Sequence, residues 1–178
     1  MIAPLDHPRE NLRLSILRDT CLFTSNDEKD YEQFVAVASA IADTPIALIS
    51  LIDTKRQWFK AKTGLNVSET PRNVSFCGHA VLLDHGELIV ADARLDERFA
   101  DNPLVTGEPH IRFYAGIPIR LGEQALPIGT LCVIDQQPRT LSPNKIAGLV
   151  ALGKILEVFI TNKLRARPSI KPEYQSPG

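Results

Sequence analysis

Several common signatures are missing from this 178-residue chain. No window approaches the roughly 18 consecutive apolar residues of a membrane-spanning helix, so no membrane partner is expected. The first residues, MIAPLDHPRENLR, carry acids early and hold no apolar stretch. They do not read as a secretory signal, and the expected location is the cytoplasm. Charge of one sign is missing too: 20 Lys and Arg stand against 21 Asp and Glu, a net of -1 with neutral His. Without a basic excess, generic attraction to phosphate backbones is weak, and nucleic acid is not an expected partner. Cysteine is scarce and odd in number, at 3. Cys21, Cys77 and Cys132 cannot all pair, which fits reduced thiols better than a disulfide framework. There is no glycine-rich phosphate loop, no C-x-x-C, no H-E-x-x-H and no G-x-S-x-G elbow. These absences move the expectation from catalysis toward binding, with no metal and no cofactor required by the sequence.

What is present suits one domain with a proper core: 44% of the residues are hydrophobic and 23% charged. The 13 prolines fall mostly between periodic segments, so short elements joined by shaped loops are expected. Residues 1–9 read as irregular. Leu12, Ile16, Leu17 and Cys21 give one helical face over Glu10 to Phe23. Ser25-Asn26-Asp27 offers cap residues for a second helix, whose Tyr31, Phe34, Val35, Ala38, Ile41 and Ala42 keep the 3,4 spacing up to Pro45. The run IALISLI, Ile46 to Ile52, predicts a well-covered strand, and QWFKAK, Gln57 to Lys62, its hairpin partner. Gly64 to Asn73 is polar and reads as loop. A short helix or turn follows at Cys77 to Leu83, a brief strand at Leu88 to Val90, a helical turn at Ala93 to Ala100, and loop from Pro103 to Pro109.

Ile111 to Arg120 predicts a strand with a defect, because Gly116 and Pro118 inside it mark a bulge, a bend or an edge. Ile128 to Ile134 predicts another strand. Ser142-Pro143 then starts a helix running to about Leu164, with an apolar stripe wide enough to bury more than one side. Residues 165–178 carry three prolines and few large apolar groups, and disorder is expected there. Hairpins separated by helices argue for an antiparallel sheet with helices on its faces, an α+β class.

The informative stretch is Ser75 to Gly116, weakly periodic and dense in groups that bind things. FCGHAV, LIVADARLDERFADNPLV, HIRFYAGIPI and IGTLCVID follow one another in an order and spacing that resemble GAF domains of bacterial signalling proteins, found ahead of histidine kinases and diguanylate cyclases. The resemblance covers roughly Asp27 to Leu164, so one GAF domain is expected over residues 10–164. It implies a profilin-like, six-stranded antiparallel sheet. Terminal helices would cover one face, and the Ser75 to Tyr114 loops and short helices would cap a pocket on the other. It also implies a small-molecule sensor in signal transduction, a homodimer through the terminal helices, and a signalling partner protein. The ligand is not identified by it.

Candidate ligand-binding residues are Phe76, Cys77, His79, Asp92, Phe99, Arg112, Phe113 and Tyr114. The aromatics read equally as apolar pocket lining or as simple packing of loops onto the sheet, and Tyr114 adds a polar handle. Arg98 or Arg112 is suited to an anionic ligand group. Asp92 lies in the alternating charge run to Asp101, which reads equally as a solvated loop. Cys77 and His79 have the spacing of a thiolate–imidazolium pair, but no further Cys or His nearby completes a metal site. FCGHA also resembles a cysteine block of the free methionine-R-sulfoxide reductases, GAF-fold enzymes. Their further upstream cysteines are absent from GLNVSETPRNVS, so Cys77 lacks a resolving partner in sequence, and catalysis stands only as an alternative. The N-K-F-D-E pattern of cyclic-nucleotide GAF domains and the Asp-containing motifs of bilin-linked ones are also absent. A third reading is an interaction module whose pocket is filled by its own side chains.

Overall fold

The computed structural model describes residues 1–166. The helices are α1 (Glu10–Asp19), α2 (Glu28–Ala42), α3 (Phe76–Ala80), α4 (Pro103–Thr106) and α5 (Pro143–Arg165). The strands are β1 (Ile46–Ile52), β2 (Arg56–Thr63), β3 (Glu69–Pro71), β4 (Leu88–Val90), β5 (Phe113–Leu121) and β6 (Leu126–Asp135). They form one six-stranded sheet in the order β3-β2-β1-β6-β5-β4, with every neighbouring pair antiparallel. This is the expected α+β architecture. The expectation for 165–178 falls, from residue 167 onward, outside the described residues.

Strand alternation sorts the side chains onto two faces. Ala47, Ile49 and Leu51 of β1 join Phe113, Ala115, Ile117, Ile119, Leu131 and Val133 under the long helices. Ile46, Leu48 and Ile52 join Tyr114, Cys132 and Ile134 on the opposite face. There the segment between β3 and β5 lies over the sheet as a cap built from α3, α4 and 3-10 turns at Arg72–Val74 and Ala93–Leu95. On the helix face α1 packs on β6, α2 on β1 and β2, and α5 on β5 and α2. Trp58, whose face the sequence leaves open, is half-buried on the helix side, its ring 5.4 Å from that of Phe23.

Local chemistry explains the boundaries. α2 stops one residue earlier than a proline stop alone would require, because Asp43 adopts the left-handed conformation (φ 58) and Thr44 N–H closes on the Ser39 carbonyl. Asp27 sits at the N-cap of α2 but does not cap it with its side chain. Its carboxylate instead meets Lys60 of β2 at 2.7 Å and Lys163 of α5 at 2.6 Å. Burial would raise the Asp27 pKa, but hydrogen bonds from Lys163 and Lys60 outweigh it and hold the carboxyl well below the carboxylate range. One acid therefore ties the sheet to two helices. Ser142 caps α5 by accepting from Lys145 N–H, with Pro143 in the first turn.

Three expectations need correction. α1 ends at Asp19 rather than Phe23, because Cys21 turns left-handed (φ 50) and folds Leu22 into the core. Glu69–Pro71, expected as loop, is a short edge strand against β2. Pro103–Thr106, also expected as loop, is a turn of helix capped by Asn102, whose side chain accepts from Leu104 N–H and donates to the Val74 carbonyl. The defect expected in the β5 strand is present, one residue beyond Pro118: the register holds past Gly116 and Pro118, and the irregularity falls between Ile119 and Arg120. Pro118 is tolerated because β4 pairs only as far as Gly116, leaving β5 with one neighbour beyond it. Gly116 answers a packing demand: a Cβ there would lie 2.0 Å from the Tyr114 hydroxyl.

Candidate functional site

The cap is two regions. Its centre is solid. Phe76 of α3 stacks on Phe99 with ring centroids 3.9 Å apart and planes 9° from parallel, and lies 5.2 Å from the Tyr114 ring. Both phenylalanines, Cys77 and Tyr114 are buried there. Cys77 Sγ lies 3.7 Å from Cys132 Sγ, and the Tyr114 hydroxyl donates to Cys77 Sγ at 3.3 Å. Ser50 and Thr130, partners across β1 and β6, present buried hydroxyls on this same face.

Toward the β3 edge the cap lifts off. A cavity of about 440 Å³ opens there. Its floor is Ile46 and Leu48 of β1, Gln57 and Phe59 of β2, and Ile134 of β6. One wall is the Gly64–Val67 loop with Thr70, and the other comes from Leu104, Glu108, Pro109 and Ile111. Gly64 makes the tight turn into the first wall, with φ +72 and no room for a Cβ beside the Pro45 carbonyl. Gln57 Nε2 donates to the Thr70 hydroxyl at 3.1 Å, while its buried Oε1 has no partner. Glu108 is the one charged side chain among the lining residues.

None of the residues expected to bind a ligand lines this cavity. Phe76, Cys77, Phe99 and Tyr114 fill the cap centre, and Phe113 points to the helix face, as strand parity with Ala115 requires. His79 Nε2 is 2.9 Å from the Ile2 carbonyl, and its ring edge meets Phe99 at 5.0 Å. Burial foremost, and then Arg98, lower its pKa. Asp92 accepts from Arg94 N–H and pairs with the Arg94 guanidinium at 2.6 Å beside a shallow surface depression. Arg112 alone acts on the cavity, indirectly. Its Nη1 donates to the Val105 carbonyl at 2.8 Å and to its neighbour Ile111 at 3.0 Å, which anchors the second wall.

The residues the sequence reading missed had a signal. Gln57 and Phe59 share strand parity, and Leu65 and Val67 are apolar residues set in a polar loop. Among the described residues no group of three or more His, Cys, Asp or Glu is placed to hold a metal ion. No helix among them is long and apolar enough to cross a membrane.

The GAF domain model matches residues 19–160. This chain belongs to the GAF domain family. Over 139 residues it is 48% identical to a cyclic di-GMP phosphodiesterase of Pseudomonas aeruginosa, an alignment covering 78% of this chain. The chain thus spans only 23% of the length of that relative. Solved structures share the fold of this GAF domain at low identity. The free methionine-R-sulfoxide reductase of Neisseria meningitidis matches with a TM-score of 0.63 at 18% identity, covering 94% of this chain and 100% of that one. The GAF domain of a phosphoenolpyruvate-protein phosphotransferase from Coxiella burnetii matches with a TM-score of 0.62 at 19% identity, covering 84% and 93%.

Proposed function

We propose that this GAF domain is a regulatory module that takes a small molecule into the cavity at the β3 edge and passes its occupancy to a signalling partner. The cavity itself carries this reading. Its walls come from separate stretches of chain and are mostly apolar, with Gln57, Asn66, Thr70 and Gln136 as orienting groups, the make-up of a ligand site. No lysine or arginine lines it, so a phosphate-bearing ligand would enter unpaired. The reading therefore favours an uncharged or cationic molecule. The lining also lacks a cysteine, a histidine or a serine, which favours binding over chemistry. Binding acts by population shift: a ligand that prefers one position of the 104–111 wall biases the cap toward it. The name of the Pseudomonas relative supports a setting in which the output is cyclic di-GMP turnover. A homodimer through the terminal helices belongs to this reading. Its support is the pair Ile155 and Val158 on α5, 58% and 59% exposed, which a partner helix would cover.

Native mass spectrometry of freshly purified protein, with a thermal-shift screen of uncharged and cationic metabolites, tests the cavity. Leu104→Trp, which fills it, should abolish any ligand-induced shift. The absence of a shift from any compound, together with an unaltered melting temperature in Leu104→Trp, overturns the reading. Light scattering that finds a monomer at high micromolar concentration removes the dimer.

A second reading, thiol-dependent reduction of methionine sulfoxide, has one observation in its favour: Cys132 supplies the neighbour that Cys77 lacks in sequence. Against it, neither thiol lines the cavity. Loss of free methionine sulfoxide reduction in Cys77→Ser, from a measurable wild-type rate, would be its proof.

A further inference from the structure

The centre of the cap holds a second feature that neither the cavity nor a sensor role uses. Cys77 and Cys132 are 55 positions apart in sequence, yet their sulfurs are in van der Waals contact at 3.7 Å. Both residues are almost wholly buried, at 2% and 1% exposure. Two small thiols packed in a core would ordinarily need no further account. Their surroundings are not those of a plain apolar core. The Tyr114 hydroxyl donates to Cys77 Sγ. The Ser50 and Thr130 hydroxyls on the same face are buried without a hydrogen-bond partner. Unpaired buried hydroxyls are a standing cost to the fold. A thiolate at Cys77 would be a stronger acceptor for the two groups that touch it, the Tyr114 hydroxyl and the Cys132 thiol.

Electrostatics agree with the geometry. Burial pushes the Cys77 thiol up, but the polar groups around it, Cys132 first and then Ser50, Thr130 and Tyr114, prevail and bring it below the ordinary thiol range. Cys132 moves the other way, first through its contact with Cys77 and then through burial. The opposite directions mark Cys77 as the nucleophilic sulfur and Cys132, in contact with it, as the resolving thiol.

We propose that Cys77 and Cys132 form a redox pair that a hydroperoxide closes into a disulfide, pinning α3 to the centre of the sheet. Cys77 sulfur attacks one peroxide oxygen. The O–O bond breaks, and the leaving oxygen takes the thiol proton and departs as water or alcohol, leaving a sulfenic acid on Cys77. Cys132 sulfur then attacks Cys77 sulfur. The S–S bond forms, the S–O bond breaks, and the hydroxyl leaves as water with the Cys132 proton. Two thiols are oxidised by two electrons, and one peroxide is reduced. The closed loop contains α4 and the 104–111 wall, so oxidation restricts the same segment whose position shapes the cavity.

The test uses the full chain with hydrogen peroxide in slight excess under anaerobic buffer. The free thiols, three in the reduced protein, should fall to one. The intact mass should drop by about 2 Da, dithiothreitol should restore it, and peptide mapping should place the link between residues 77 and 132. Cys21→Ser should behave as wild type. Cys132→Ser should stop at a sulfenic acid on Cys77 that dimedone traps, and Cys77→Ser should block oxidation. Tyr114→Phe should slow the peroxide reaction at pH 7 by about fivefold and shift its pH profile upward. If Cys132→Ser fails to fold, Cys132→Ala replaces it with the same expected outcome. A link through Cys21, stepwise addition of oxygen with no loss of about 2 Da, or thiols that react only at the rate of global unfolding each overturn the proposal. These outcomes leave the cavity reading untouched, because no ligand enters the assay.

Discussion

The two faces of the sheet are covered by different chemistry. The helix face is closed by Leu14, Leu17, Tyr31, Val35, Leu149 and Leu156 over Ile49, Leu51, Ile117 and Leu131. The cap face carries thiols and hydroxyls at its centre and a cavity at its edge. A close-packed apolar layer fixes one arrangement, because every displaced methylene loses contacts. A layer with unfilled volume has neighbouring arrangements of similar energy. The first face is therefore held in one arrangement, and the second has unfilled volume only at its cavity edge.

Core truncation tests this division with the largest expected effect. Leu156, on α5, is fully buried against the helix face, and Leu156→Ala should cost about 4 kcal/mol. Leu48 is as deeply buried at 1% exposure, but its side chain borders the cavity and already lacks neighbours on one side. Leu48→Ala should cost about 2 kcal/mol. Urea unfolding of both variants checks the pair, and equal costs would break the contrast.

Gly116→Ala sharpens the account of the cap centre. The added methyl collides with the Tyr114 hydroxyl at 2.0 Å, so either β5 or the tyrosine must move, at about 3 kcal/mol. The Tyr114 to Cys77 hydrogen bond should go with it, raising the pH at which the thiol pair first titrates. A variant with wild-type stability and wild-type thiol titration would show that the ring does not need that space.

Glu10 joins the two faces. It lies on α1, accepts from Arg13 at 2.7 Å and meets Arg72, at the entrance of the cap, at 2.5 Å. Burial would raise its pKa, but the Arg13 and Arg72 hydrogen bonds outweigh it and bring the carboxyl down to about 2. A folded pKa below the unfolded one adds stability that is complete above the unfolded value near 4.5 and is lost as pH falls toward 2. Discounted for its partial exposure, the contribution is about 2 kcal/mol. Glu10→Gln should lose it at pH 7 and lose less than wild type between pH 5 and pH 2. Parallel pH–stability curves for the two proteins would sink the clamp.

The same contrast governs what was legible in the sequence. β1, Ile46–Ile52, and β4, Leu88–Val90, were readable to the residue because short β-branched runs sit between turn residues. The helix face was readable from 3,4 spacing. β3 was not, since its three residues are exposed or half-exposed and need only a neighbouring edge. Gly116 signals a defect in any strand pattern, and only the position of the Tyr114 hydroxyl reveals a packing requirement instead. The cavity joins residues 46–70 to residues 104–136, and such proximity leaves no periodic trace in either stretch. The thiol pair was half-visible: Cys132 shares parity with Ile134, but its partner arrives from a helix 55 residues away. Of the two readings the sequence left open for the loop aromatics, Phe76, Phe99 and Tyr114 take the packing one, because large apolar groups in loops signal burial, and burial alone does not separate lining from filling.

The smallest expected effect concerns the boundary between the filled and the open parts of the cap. Arg112 donates to the Val105 carbonyl across the turn that carries Leu104, Glu108 and Ile111. Arg112→Ala removes that anchor from a half-buried position, so stability should fall by only about 1 kcal/mol. The local consequence should exceed the global one. Amide exchange in residues 104–111 should speed up by an order of magnitude or so while exchange in β1 and β6 keeps its protection, since local opening depends on few contacts. Uniform acceleration through the sheet would mean that the wall and the core open as one unit. The cap would then have no independently movable edge for a ligand to bias.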